Sequence, residues 1–192
     1  MTALTLNLHS AIELTDERFE QICQSNRDLR FERTSTGELV VMSPAGSETG
    51  RQNSGLNGQL WLWNQQNRLG VGFDSSAGFT LPNGAIRSPD ASWIKQERWD
   101  TLNAAQKRKF APICPDFVVE LCSPSDRLID VQTKMQEYLD NGTRLGWLIH
   151  PESKSAQIYR PNQTVEVQNA PNSLSGEDIL PGFELDLQEI WA

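Results

Sequence analysis

The sequence is poor in the residues that build thiolate metal sites, disulfide frameworks and histidine-activated nucleophiles. It has two histidines, His9 and His150, and three cysteines, Cys23, Cys114 and Cys122. The histidines share no ligand spacing, so each reads as a surface or packing residue. The cysteines are odd in number and far apart, with neither disulfide nor zinc spacing. A reducing, cytoplasmic setting is the expectation. Cys122 ends an apolar run with no histidine near it in sequence, which points to a small core residue. No apolar run is long enough to cross a bilayer, so no membrane partner is expected. Met1 to Asn7 has no basic flank, which argues against a signal peptide. Repeats, low-complexity tracts and linkers are also missing, so residues 1–192 are expected to form one domain with a substantial core.

Positive charge is scarce as well. Seventeen Lys and Arg stand against 25 Asp and Glu, a formal net charge of -8. That excludes a non-specific nucleic-acid coat, which needs a strongly basic surface. It leaves room for an enzyme acting on DNA, because carboxylates that hold a metal enter the same count. Lys95, Arg98, Lys107, Arg108 and Lys109 could form a local basic patch, although each alone reads as ordinary solvated surface.

What is present is an alternation of helical and extended patterns. Thr15 reads as an N-cap, with Phe19, Ile22 and Cys23 on one helical face after it. Two strands, 29–33 and 38–42, flank the turn Thr34-Ser35-Thr36-Gly37. Leu56, Leu60 and Trp63 have helical spacing in a segment from about Glu48, weakened by Gly50, Gly55 and Gly58. Short extended pieces follow at 71–73 and 78–81, with a turn at Pro82-Asn83-Gly84. Residues 88–94 read as a strand entered through Pro89, and 97–109 as helical or partly so until Pro112 and Pro115. Residues 116–122 form the clearest strand, apolar nearly throughout as in a strand buried on both faces. A helix from Leu128 to Asn141 ends at Gly142. A buried strand at 144–149, a hairpin at 156–167 and a strand at 183–187 complete the pattern. Trp61, Trp63, Trp93, Trp99, Trp147 and Trp191 are expected in the core. Interleaved helices and strands predict a mixed sheet covered by helices.

Two Pro-Asp pairs, Pro89-Asp90 and Pro115-Asp116, compete for a chemical role. Two carboxylates that share an ion must bring oxygens to about 2.0–2.6 Å from it. Asp116 and Glu120 lie on one strand, about 13 Å apart, which is too far. Asp90 comes from a different strand and can neighbour Glu120 if the two strands pair at about 4.8 Å. Asp90 with Glu120 is therefore the preferred pair, and Asp116 takes a strand-entry or surface role. Each residue has a plainer reading. Glu120 could pair with Arg144 or Lys134, since an unpaired buried carboxylate is too costly. Asp90 could cap backbone amides. Lys134, at the edge of an apolar helix face, could orient water or stabilise developing charge, or snorkel over apolar surface. Glu48 could add a third carboxylate or simply complement a helix N-terminus.

Ser88-Pro89-Asp90, Pro115 to Leu121 with Ser123-Pro124-Ser125-Asp126, and Lys134 to Tyr138 with Gly142 and Trp147 together resemble the Uma-type restriction endonuclease family. That family is abundant in cyanobacteria and was long a domain of unknown function within the PD-(D/E)XK nuclease superfamily. The likeness covers nearly the whole chain, including Met42-Ser43-Pro44 and Leu180 to Leu185. It implies an α/β, restriction-endonuclease-like αβββαβ core with a mixed sheet flanked by helices, plus an N-terminal helix and hairpin and C-terminal strands. It maps the superfamily aspartate onto Asp90 and the second acid onto Glu120. Cys122 stands where the lysine usually does, and Lys134 would be its replacement from the following helix. Glu48 would be the extra helical acid. The implied cofactor is Mg²⁺ or Mn²⁺, held by Asp90 and Glu120 with the Leu121 carbonyl as a further candidate. The implied substrate is DNA, cut by a homodimer that lets two centres reach both strands. The rivals are a catalytically decayed nuclease-fold binding protein and a nuclease acting on RNA.

Overall fold

The computed structural model describes residues 4–9 and 11–192. In chain order, β1 (Leu4–Leu6), helix α1 (Asp16–Ser25), β2 (Arg30–Arg33) and β3 (Leu39–Met42) lead to the long helix α2 (Ser47–Asn67). Then come β4 (Gly70–Asp74), β5 (Phe79–Thr80), β6 (Ile86–Arg87), β7 (Ala91–Lys95), and the short helices α3 (Gln96–Trp99) and α4 (Ala104–Lys107). The remainder is β8 (Phe117–Leu121), α5 (Leu128–Asp140), β9 (Leu145–His150), β10 (Ser155–Tyr159), β11 (Glu166–Asn169), β12 (Ser173–Ser175), β13 (Glu184–Asp186) and α6 (Gln188–Trp191).

Six strands form the central sheet in the order β11-β10-β9-β8-β7-β4. Only β8 and β9 are parallel, and α5 makes the crossover between them. The run α2-β4-β7-β8-α5-β9 is the expected αβββαβ core. The β5–β6 pair leaves it to join a second, five-stranded sheet, β1-β3-β2-β6-β5. All five residues of β8 are buried. Phe117, Val119 and Leu121 pack with Leu56, Leu60 and Trp63 of α2 and with the C-terminal segment. Val118 and Cys122 pack with Met135 and Tyr138 of α5. The period of two thus splits β8 between two cores and turns Glu120 toward α5.

Gly146 sets how closely α5 approaches. A Cβ there would lie 2.5 Å from Met135 Cε and 3.5 Å from Val118 Cγ2. The absent side chain lets α5 settle onto the sheet and brings its inner face within reach of β8. Gly142, at φ 110°, then turns the chain out of α5 into β9.

One expectation is refined and one corrected. The 97–109 stretch is partly helical, as two short helices, because Asn103 starts a new one with a capping box to Gln106. Trp61 is 62% exposed rather than part of the core. The short elements β1, β6, β12 and α6 carry too few residues for a periodic signal.

Candidate active site

Antiparallel register pairs Ala91 with Val119, and one step further along the two strands lie Asp90 and Glu120. Asp90 is fixed from two sides. Its Oδ2 accepts a 2.8 Å bond from the Leu121 amide, beside Glu120. Its Oδ1 accepts from Asn53 Nδ2 at 3.2 Å, and its carbonyl from Asn57 Nδ2 at 2.9 Å, both on α2. Lys134 and Tyr138, one helical turn apart on α5, reach Glu120 from the other side. Lys134 Nζ lies 2.9 Å from Glu120 Oε1, and the Tyr138 hydroxyl donates to the same oxygen at 3.0 Å.

The second sheet completes the cluster. Glu32 of β2, almost fully buried, accepts from Lys134 Nζ at 2.9 Å and from the Ser88 amide at 2.9 Å. Arg87 of β6 bridges Glu32 at 3.1 Å and Glu137 of α5 at 2.6 Å. Asp90, Glu120, Glu32 and Glu137 thus share two cations, Lys134 and Arg87, an excess of two negative charges.

Titration behaviour follows first from burial and then from the neighbouring charges. Burial, with Asp90 and Glu32 nearby, pushes the Glu120 carboxyl up to about 7 although Lys134 opposes it. Burial also raises Asp90, against the Leu121 amide and Lys134. Burial acts on Glu32 in the same direction, but Lys134 and Arg87 outweigh it and hold Glu32 below the usual carboxylate range. Burial would neutralise Lys134, yet Glu120 and Glu32 overcome it and keep the ammonium charged. Lys134 is therefore a donor and a fixed positive charge, not a base.

The residues fit a divalent ion. The buried Glu120 and the half-buried Asp90 converge where negative charge is in excess, and Asn53 Oδ1, on the side chain that holds Asp90, is buried without a hydrogen-bond partner. Among the described residues no group of three or more His, Cys, Asp or Glu side chains is placed to hold a metal. The candidate donor set would be two carboxylates plus neutral oxygens, as Mg²⁺ accepts when it keeps water and substrate oxygens.

The family model described as "Uma2: Putative restriction endonuclease" matches residues 16–188. The chain belongs to the Uma2 family. A crystal structure described as "a putative nuclease belonging to DUF820" from Anabaena variabilis ATCC 29413 has the same fold. Its TM-score is 0.70 at 21% identity, over 84% of this chain and 89% of that one. No curated protein matches the sequence.

Within this Uma2 chain, the structure brings Asp90, Glu120 and Lys134 together and leaves Glu48 apart. Glu48 is exposed and held by Arg51 at 2.7 Å, whose other bonds go to the carbonyls of Glu189 and Ala192. Asp116 is a strand-entry residue but buried, not on the surface, with bonds from the Lys95 amide and Arg98. Of the five candidates for a basic patch, Arg108 is exposed, and the other four, Lys95, Arg98, Lys107 and Lys109, are tied to carboxylates. Lys134, and not Arg144, is the partner of Glu120. Glu32, Arg87, Asn53 and Asn57 were not legible as site residues. Glu32 alternates with Phe31 and reads as the solvent side of a hairpin, but α5 covers that side. The Tyr138 hydroxyl, one turn after Lys134, was a signal that the apolar reading of this helix face passed over. No helix of the described residues is long and apolar enough to cross a membrane.

Proposed function

We propose that this protein is a metal-dependent endonuclease that hydrolyses phosphodiester bonds in DNA, using Mg²⁺ or Mn²⁺ held by Asp90 and Glu120. The observation that carries the reading is the convergence of the half-buried Asp90 and the buried Glu120 with a charged lysine 2.9 Å from Glu120. A divalent ion there would supply Lewis acidity at the scissile phosphate and make water a better nucleophile at neutral pH. The protein's own groups do the rest. The Leu121 amide and Asn53 orient Asp90, and Tyr138 orients Glu120. Lys134 has three N–H donors, of which Glu32 and Glu120 take two. The third is left for the attacking water or a phosphate oxygen, where negative charge grows in the transition state.

The closed chain Arg87–Glu32–Lys134–Glu120 also suits a nuclease fold kept for binding alone, with the carboxylates retained as an ion-pair network. Calcium titration calorimetry separates the two. The enzyme binds the ion and loses binding in Asp90→Ala and Glu120→Ala, whereas a scaffold shows no binding to lose. Cleavage assays with Mg²⁺ and Mn²⁺ on plasmid DNA, oligonucleotides and RNA then fix the substrate. Cleavage of RNA alone would overturn the DNA assignment.

A further inference from the structure

Two asparagines one helical turn apart on α2 reach Asp90, and their bonding differs. Asn57 is complete as a brace. Its Nδ2 donates to the Asp90 carbonyl at 2.9 Å and to the Asn53 carbonyl at 3.0 Å. Asn53 makes one longer bond, from Nδ2 to Asp90 Oδ1 at 3.2 Å. Its own Oδ1 is buried and accepts from nothing among the described residues.

A bracing role does not explain that oxygen. Leaving a buried amide oxygen unpaired costs free energy, and Asn57 braces the same residue with no buried atom left over. The oxygen also belongs to an amide that touches Asp90, an acid whose own bonds come only from the neutral Leu121 amide and Asn53. A cation is therefore the partner that this place lacks.

Resting on the reading that Asp90 and Glu120 hold a divalent ion, we propose that Asn53 Oδ1 is a third protein ligand of that ion, a neutral oxygen supplied by α2. Hard divalent cations take amide carbonyl oxygens beside carboxylates. The charge explains why the ligand is an amide and not an acid. Asp90, Glu120, Glu32 and Glu137 exceed Lys134 and Arg87 by two negative charges, which one divalent ion cancels. A third ligand then has no charge to supply. The two ends of one side chain take separate roles: Nδ2 orients Asp90, and Oδ1 meets the ion. Glu48, five residues earlier, lies about 140° round the helix and cannot share this position.

The test locates the ion and weighs the oxygen. In crystals of the full chain soaked in Mn²⁺, anomalous scattering gives the ion's position, expected about 2.0–2.6 Å from Asn53 Oδ1. Calcium calorimetry then compares wild type with Asn53→Leu and Asn53→Asp. Asn53→Leu is similar in size without a polar atom, and it should weaken calcium binding by about 10- to 100-fold. Asn53→Asp keeps the oxygen and adds charge while losing the bond to Asp90, so it should bind calcium at least as tightly as wild type. A side chain that only braces Asp90 gives the opposite result, because both variants lose its N–H. Calcium binding that falls as far in Asn53→Asp as in Asn53→Leu therefore overturns the proposal. An ion on Asp90 and Glu120 but farther than about 3.5 Å from Asn53 Oδ1 also overturns it, and leaves the two-acid site standing. A wild type with no manganese in the crystal and no calcium heat defeats the metal reading and this ligand together. Thermal melts check the variants, and where one fails to fold the manganese position decides alone.

Discussion

The chain uses the dipeptide Pro-Asp twice on neighbouring strands, and the two aspartates have opposite surroundings. β7 and β8 are antiparallel, so Asp90, just before β7, and Asp116, just before β8, lie at opposite ends of the pair. Asp116 is matched. Arg98 lies 2.9 Å from one oxygen and the Lys95 amide donates to the other, while its backbone ties to Trp93, Arg144 and Leu145. Asp90 has only neutral donors, Leu121 and Asn53, and its neighbour across the strands is another carboxylate. One end of the sheet supplies a cation for its single acid. The other gathers acids faster than cations, which leaves charge for an ion to neutralise. The dipeptide is the same, and the end of the sheet decides between a brace and a candidate ligand.

The largest effects should come from swapping the test between the two aspartates. Asp90→Ala and Glu120→Ala are expected to lower cleavage by about 10³-fold while the fold survives. Removing Asp90, which carries no cation of its own, relieves repulsion as well as losing bonds, and Glu120→Ala leaves Lys134 its bond to Glu32. Asp116→Ala should do the reverse. It leaves the Lys95 amide and Arg98 without their acceptor, for a loss of about 1–3 kcal/mol of stability, the Arg98 share reduced by its exposure. Its turnover per folded molecule should match wild type. Thermal melts beside cleavage rates check both, and a fold-neutral Asp116→Ala that abolishes cleavage would erase the contrast.

Protons sharpen the comparison next. The folded Glu120 carboxyl sits near 7, above its ordinary 4.5, with burial as the main cause. Between those values the folded chain holds a proton that the unfolded chain has released. The stability this group contributes is full below about 4.5 and is lost as pH rises through about 7. A divalent ion needs the ionised form, so calcium affinity should climb by about tenfold per pH unit up to about 7 and then level off. Calorimetry across that range checks the slope, and Glu120→Gln should flatten the proton-linked part of the melting curve.

A smaller effect is expected at Glu32, which touches Lys134 and so acts as a positioning residue. Glu32→Gln keeps the shape but loosens the ammonium and leaves Arg87 with Glu137. Turnover should drop by about 10- to 100-fold with calcium affinity nearly unchanged. A fall in affinity that equals the fall in turnover would mean that Glu32 holds the ion itself.

These contrasts also explain what could be read in advance. Apolar β8 with one acid in it marks Glu120, because a lone buried carboxylate demands compensation. Strand geometry separates Asp90 from Asp116, because four residues of strand outreach any shared ion. Lys134 is legible from its place at the rim of an apolar helix face. Glu32 and Arg87 are not, since their partners lie 102 and 50 residues away in sequence, on an element of a different core. Local alternation in β2 says only that Glu32 and Phe31 face opposite ways. Which way is solvent depends on where α5 lands, and Gly146 settles that from β9. Asn53 and Asn57 carry no signal of their own on a helix whose apolar stripe points elsewhere.

The smallest effect should be at Glu48, the acid expected to complete the metal site. It opens α2, where a carboxylate complements the helix N-terminus, and its bond to Arg51 is exposed. Asn53 and Asn57 show which face of α2 meets Asp90, and the fixed angle of about 100° per residue carries Glu48 well away from it. Arg51 instead binds the backbone of α6 and the chain end, so Glu48 belongs to that contact. Glu48→Ala should therefore leave calcium affinity and cleavage rate at wild-type values and barely move the melting temperature. A loss of calcium binding in Glu48→Ala would mean that the first turn of α2 rearranges when the ion enters, and that the ion-bound site has three acids instead of two.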